Sequence, residues 1–216
     1  MALPSPELIV FDLDGTLADT VPDITAALNH ALAALGRPGY PEEAVPAMIG
    51  GGEEAFLRRA LGPGHQEAYP ELRRRYLEYY AAHLVDHTRL YPGVRETLTA
   101  LRPRKLAVLS NKLAFLVEGI VHRLGLTPFF QAVRGGDSYG VLKPEPEGLA
   151  ALIRELGATP GRTLMVGDKP ADVLAGRGAG CATVAVTYGY GEPARLQAAG
   201  PDALIGSLPE LVPLVS

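Results

Sequence analysis

Apolar and polar positions along this chain fall into two rhythms. Leu8-Ile9-Val10-Phe11, Leu106-Ala107-Val108-Leu109, Leu164-Met165-Val166 and Ala182-Thr183-Val184-Ala185-Val186 are short, continuous apolar runs. Runs of this kind read as strands buried on both faces. Shorter runs at 129–133 and 203–205 read the same way. Elsewhere the apolar residues recur at helical spacing. Ile24, Ala27, Leu28, Ala31, Leu32 and Leu35 line one face, with Pro22 in the first turn, Asp19 or Thr20 as cap, and Gly36 as stop. Leu72, Tyr76, Tyr80 and Leu84 line another, predicting a helix over about 70–86. Further helices are expected at 53–61, 92–101, 114–124, 147–156 and 170–179, with breaks at Gly50-Gly51-Gly52 and Gly62-Pro63-Gly64.

After the first strand, residues from about 18 to 88 carry only helical pattern. From Pro92 onward, helices and strands alternate. This order predicts an α/β protein: a Rossmann-like, doubly wound parallel sheet with a helical segment inserted after its first strand. Residues 1–17 plus 90–216 would form the α/β core, and 18–89 the helical insert.

Composition narrows the classes. Apolar residues make up 47% of 216, enough for a sizeable core and against disorder. A net charge of −4 leaves no electrostatic footprint for nucleic acid. No apolar run approaches membrane-spanning length. The leading Met1-Ala2-Leu3-Pro4-Ser5-Pro6-Glu7 lacks the basic region of a secretory leader. The single cysteine, Cys181, excludes an internal disulfide and reads as a buried, inert thiol. A cytoplasmic location is expected.

The chemistry sits where the strands end. Asp12 and Asp14 follow the first run, and residues two apart in an extended backbone point the same way. Two carboxylates about 4 Å apart at an effective dielectric near 20 repel by roughly 4 kcal/mol, so a bound cation or a shifted pKa must offset them. All-oxygen ligands favour Mg²⁺. An ordinary Asp-Gly turn would explain the pair equally well if it stood alone. Ser110 and Asn111 end another strand, Asp168 a third, and Asp172 follows in the first turn of a helix. Lys143 precedes a helix. In a parallel sheet these ends converge on one edge, where ligands bind.

The set resembles the haloacid dehalogenase superfamily of phosphotransferases. Asp12-Leu13-Asp14-Gly15-Thr16-Leu17 matches its first motif, Ser110-Asn111 the second, Lys143-Pro144 the third, and Gly167-Asp168 with Asp172 the fourth. The resemblance implies Asp12 as nucleophile, forming an aspartyl phosphate, and Asp14 as general acid and base. It implies Mg²⁺ held by Asp12, Asp14 through its backbone carbonyl, and Asp168, with Asp172 binding directly or through water. Ser110, Asn111 and Lys143 would hold the transferring phosphoryl group, and Thr16 and Gly51 would lie on the substrate side. The insert resembles the superfamily's helical cap, with hinges near 18–22 and 83–92.

Asp14 argues against dehalogenases, which lack that acid. The absence of lysine between Asp14 and Lys105 argues against phosphonatases, which use a cap lysine. Ile49-Gly50-Gly51-Gly52, Tyr91-Pro92-Gly93-Val94 and Thr187-Tyr188-Gly189-Tyr190-Gly191-Glu192-Pro193 resemble the phosphoglycolate phosphatase branch. A small phosphorylated metabolite is the implied partner. A sugar phosphate, nucleoside monophosphate or pyrophosphate is the alternative substrate, a β-phosphoglucomutase-like reaction the next, and a non-catalytic binding module the last. Monomer and homodimer both remain open.

Lys169 departs from the superfamily, which carries a small hydroxyl residue there, and is expected to face solvent. Asp137 reads as a turn residue. Gly50–Gly52 reads equally as an anion-binding helix start or a plain loop. Arg58 and Arg59 are candidates for a substrate carboxylate, while Arg73, Arg74 and Arg75 read as a solvated face. The histidines show no zinc-ligand spacing.

Overall fold

The structure, a computed structural model, describes residues 5–215. The leading-segment reading at residues 1–4 lies outside the described residues, as does residue 216. Strand β1 is Leu8–Phe11. A two-residue strand β2, Ala18–Asp19, leads into helices α1 (Val21–Ala33), α2 (Gly52–Leu61) and α3 (Tyr69–Ala82). The chain returns through β3, Arg89–Leu90. There follow α4 (Val94–Ala100), β4 (Lys105–Leu109), α5 (Ala114–Arg123), β5 (Ala132–Arg134), α6 (Glu147–Glu155) and β6 (Thr163–Gly167). The last elements are α7 (Pro170–Gly178), β7 (Ala182–Val186), α8 (Pro193–Ala199), β8 (Ala203–Ile205) and α9 (Leu211–Leu214).

Six strands form one parallel sheet in the order β5-β4-β1-β6-β7-β8. The reversal of winding on either side of β1 makes it the topological switch point. Register brings three strand ends level, since Phe11 stands opposite both Val108 and Val166. Alternate residues of the strands feed two cores. Ile9, Phe11, Leu106, Val108, Leu164 and Val166 share one with α4, α5 and the helical insert. Leu8, Val10, Ala107, Leu109 and Met165 share the other with α6 and with Cys181. Burial pushes the Cys181 thiol up to about 11. Among the described residues no helix is long and apolar enough to cross a membrane.

The insert is held at its neck by pairings too short to leave a pattern. β2 and β3 pair antiparallel, Ala18 opposite Leu90 and Asp19 opposite Arg89. The buried Asp23 carboxylate in α1 accepts the backbone N–H groups of His87 (3.0 Å) and Thr88 (2.8 Å). Helix α3 stops at Ala82 rather than running to 86, because the chain turns there and the His83 ring meets Asp86 at 2.7 Å. The strand expected at 129–133 starts later, at Ala132, since Thr127–Phe129 coil into a 3₁₀ turn. Helix α8, directly after the glycine-rich Tyr188–Gly191 stretch, gave no helical signal of its own.

Burial opposes the charge on Asp23, yet the hydrogen bonds from Thr88 and His87 outweigh it and hold its pKa below the ordinary value. Its contribution to stability is therefore present above the unfolded-state pKa and lost as pH falls through the depressed folded value. Asp23→Ala would orphan two backbone donors and is expected to cost about 2–4 kcal/mol in urea unfolding at neutral pH. An unchanged unfolding midpoint would refute the anchoring role.

Candidate active site

The carboxyl ends of β1, β4 and β6 open into a cavity of about 260 Å³, roofed by the insert. Asp12, Asp14, Ser110, Asn111, Lys143 and Asp172 line it from the core side, and Ile49, Gly50–Gly52 and Phe56 from the insert. Lys143 Nζ is almost fully buried and donates to Asp172 Oδ1 (2.6 Å) and to the carbonyl of Leu109 (2.7 Å), with Asp12 Oδ1 at 3.2 Å. Three donors thus meet three fixed acceptors. Burial opposes the lysine's charge, but Asp12 and Asp172 outweigh it and raise its pKa. Asp12 moves the other way in stability: burial, helped by Asp172 and Asp14, outweighs Lys143 and pushes it up to about 6. One lysine cannot offset so many carboxylates.

Neighbouring groups fix this arrangement. Asp172 uses its second oxygen to accept the Lys169 backbone N–H (2.9 Å), capping the start of α7. The Asn111 side chain donates to the Lys143 carbonyl and accepts its N–H, both at 2.8 Å. Asn111 therefore clamps the loop that carries Lys143. Ser110 is buried at the end of β4 and is not a helix cap; α5 is capped by Asp137, whose Oδ1 accepts the Ala114 N–H at 2.8 Å.

Asp12, Asp168 and Asp172 each offer an oxygen to a common space, within 4.8 Å of one another. Asp168 Oδ2 accepts the Tyr190 N–H at 2.7 Å, while Oδ1 is buried with no hydrogen-bond partner. Burial, then Asp172 and Asp12, drive the Asp168 pKa well above its ordinary value. An unpartnered carboxylate oxygen facing two more carboxylates fits a hard divalent cation, which would supply the missing positive charge. Glycine makes the close packing around Asp168 feasible. A Cβ at Gly15 (φ +81°) would lie 2.3 Å from Asp168 Oδ2, and one at Gly191 1.7 Å from the Asp168 carbonyl oxygen.

Asp14 stands apart from that cluster. Its Oδ1 accepts from Thr20 Oγ1 (2.6 Å) and Lys112 Nζ (2.7 Å), and Lys112 Nζ also donates to Tyr80 OH of α3 (2.8 Å). Tyr190 OH meets Asp19 Oδ1 (2.8 Å) and accepts the Thr20 N–H (2.7 Å), tying the β7 end to the neck of the insert.

The model of the haloacid dehalogenase-like hydrolase family matches residues 6–180. The chain belongs to the haloacid dehalogenase-like hydrolases. It is 38% identical to the phosphoglycolate phosphatase of Pseudomonas putida, over 96% of this chain and 79% of that protein. It is 38% identical to the phosphoglycolate phosphatase of Vibrio vulnificus strain YJ016, over 97% of this chain and 96% of that one. Among solved structures, a predicted phosphoglycolate phosphatase from Haemophilus somnus 129pt superposes with a TM-score of 0.90 at 32% identity, covering 98% of this chain and 99% of that one.

Several expectations for this hydrolase need correcting. Thr16 is fully buried and does not line the cavity; Tyr188 OH donates to its carbonyl at 2.7 Å, so it packs behind the site. Arg58 and Arg59 are exposed and face away. Arg58 pairs with Glu54 and stacks on Tyr69, while Arg59 donates to the carbonyls of Met48 (2.6 Å) and Gly50 (2.7 Å), bracing the glycine loop. Arg73 is not only a solvated residue, since it pairs with Glu53 on the cavity wall (3.1 Å). Lys169 does not face solvent. It lines the cavity, and its ammonium reaches the carbonyls of Tyr190 (3.1 Å) and Pro46 (3.4 Å). Lys112 carried no expected role, and Thr20, Tyr80 and Tyr190, expected only as a helix cap, a helix face and part of a glycine-rich stretch, join the site as well. Only the Tyr188–Gly191 pattern, with two tyrosines separated by glycine, carried a signal for one of them.

A divalent cation is expected to raise Tm by several degrees at about pH 7.5, and by much less at about pH 5, where Asp12 and Asp168 take up protons that compete with it. A pH-independent rise would place the ion elsewhere. Asn111→Ala should preserve the fold by circular dichroism while lowering kcat about 10- to 100-fold, because the lysine loses its clamp. Full activity in that variant would refute the clamp.

Proposed function

We propose that this hydrolase is a Mg²⁺-dependent phosphomonoesterase that acts through an aspartyl phosphate on Asp12, with 2-phosphoglycolate as its substrate. The observation that carries the reading is the buried Asp12 carboxylate, 3.2 Å from Lys143 Nζ and clustered with Asp168 and Asp172. The phosphoglycolate phosphatases to which the chain is similar along nearly its whole length support the substrate.

In this mechanism an Asp12 oxygen attacks phosphorus, the bond to the ester oxygen breaks, and Asp14 gives its proton to the leaving alkoxide. Asp14 then takes a proton from water, which attacks the phosphorus of the acyl phosphate and releases inorganic phosphate with Asp12 restored. Ser110 and the backbone N–H of Asn111 hold the phosphoryl oxygens while Lys143, beside Asp12, offsets charge on the nucleophile and the phosphoryl group, so that the work is mostly positioning and charge stabilisation. Mg²⁺ would be held by Asp12, Asp168 and the backbone carbonyl of Asp14, with Asp172 directly or through water, and would neutralise charge on the phosphoryl group. Residues 18–89 act as a cap on the core of 1–17 and 90–216, with the β2–β3 ladder as its stem, and exclude water while the ester reacts. Gly51, on the cap side of the cavity, contributes to the substrate wall. A cytoplasmic site of action suits a small-metabolite phosphatase with one buried thiol.

The test is phosphate release from 2-phosphoglycolate, sugar phosphates, nucleoside monophosphates, pyrophosphate and an aryl phosphate, with Mg²⁺ and with EDTA. A kcat/KM for 2-phosphoglycolate far above the rest and abolished by EDTA is expected. Asp12→Asn should lower it by about 10³-fold or more, as loss of a covalent nucleophile does. Activity that survives this substitution would overturn the mechanism, and equal rates across the panel would overturn the substrate.

A further inference from the structure

The charged groups facing the cavity pair off, with one exception. Asp12 and Asp172 share Lys143, Asp14 has Lys112, and Glu53 has Arg73. Among the described residues Lys169 takes no carboxylate as ion-pair partner. Its ammonium donates only to two backbone carbonyls, at 3.1 and 3.4 Å. Its neighbour in sequence, Asp168, belongs to the carboxylate cluster with Asp12 and Asp172, and Lys169 eases the charge on it. Were that cluster to hold a cation, the charge of Asp168 would be offset there and Lys169 would lack a counter-charge. A half-buried ammonium lacking an anion is an unfavourable arrangement that an incoming anion relieves.

We infer that Lys169 is the specificity-determining residue of this site and binds a carboxylate at the non-transferred end of the substrate. The inference rests on the phosphomonoesterase reading above, and names the class of ester that the site prefers. A single ammonium matches a monoanion. No arginine lines the cavity, so the planar, bidentate fork suited to a second phosphate is missing. Ile24, Ile49, Phe56 and Leu116 make much of the remaining wall apolar, and its other polar side chains are Glu53, paired with Arg73, and Tyr76. Lys169 also stands on the seam, with Pro46 of the insert and Tyr190 of the core as its two acceptors. A carboxylate bound there therefore touches a group shared by both halves of the cavity. Short phosphomonoesters of hydroxy acids are the substrates this arrangement selects.

The experiment compares wild type, Lys169→Met and Lys169→Arg on 2-phosphoglycolate, on its neutral carboxamide and on an aryl phosphate, with Tm as the control for folding. Lys169→Met is expected to lower kcat/KM for the acid by about 10- to 100-fold, the worth of one hydrogen bond to a charged group, chiefly through KM. The amide and the aryl phosphate should change little, and Lys169→Arg should recover most of the loss. Lys169→Met falling equally on acid and amide, or on neither, would overturn the inference. If wild type cleaves the aryl phosphate but neither two-carbon ester, it is the substrate reading that fails, and the inference falls with it. If wild type prefers the acid and Lys169→Met keeps that preference, the inference alone fails.

Discussion

The structure depends on one crowded electrostatic arrangement: the ammonium of Lys143 held between Asp12 and Asp172, with Asp168 beside them and out of water. Removing any partner from such a buried set leaves an uncompensated charge, which is far more harmful than the set's own net worth to stability. The surroundings are accordingly built around it. Asn111 fixes the backbone of Lys143, the first turn of α7 fixes Asp172, and Tyr190 fixes one oxygen of Asp168. The fold stores an excess of negative charge at the end of its central strand, an arrangement whose donor set suits a divalent cation.

Topology delivers these groups without long-range coincidence. β1 lies between β4 and β6 in register, so residues far apart in sequence emerge at one level. The insert leaves and re-enters the core through the two-residue ladder of β2 and β3. Lys112 connects the two parts most intimately, touching Asp14 on one side and Tyr80 of α3 on the other. The orientation of the second aspartate is thus a property of core and insert jointly.

Much of this was legible in the sequence, for identifiable reasons. The β1 run is apolar on both faces because both faces are covered, and its polar residues begin where the coverage ends. The parallel sheet, the helical insert, and the gathering of Asp12, Ser110, Lys143 and Asp172 on one edge follow from that alternation. The gaps are equally physical. A two-residue ladder has no periodicity to read. Arg59 looked free to meet a substrate, yet backbone carbonyls, which carry no sequence signature, claim its guanidinium. Thr16 sits in a functional stretch but is consumed by the turn. Lys169 was misjudged because its acceptors, Tyr190 and Pro46, belong to segments distant in sequence.

Cys181 lies in the core under α6 with its thiol raised to about 11, so almost no thiolate exists at neutral pH. Maleimides and related reagents therefore meet a silent background in the native chain. Cysteines introduced in pairs across the seam between Pro46 and Tyr190 would carry fluorophores with no need to remove the native one, and the distance between the dyes would report in single molecules whether the two sides of the seam move apart.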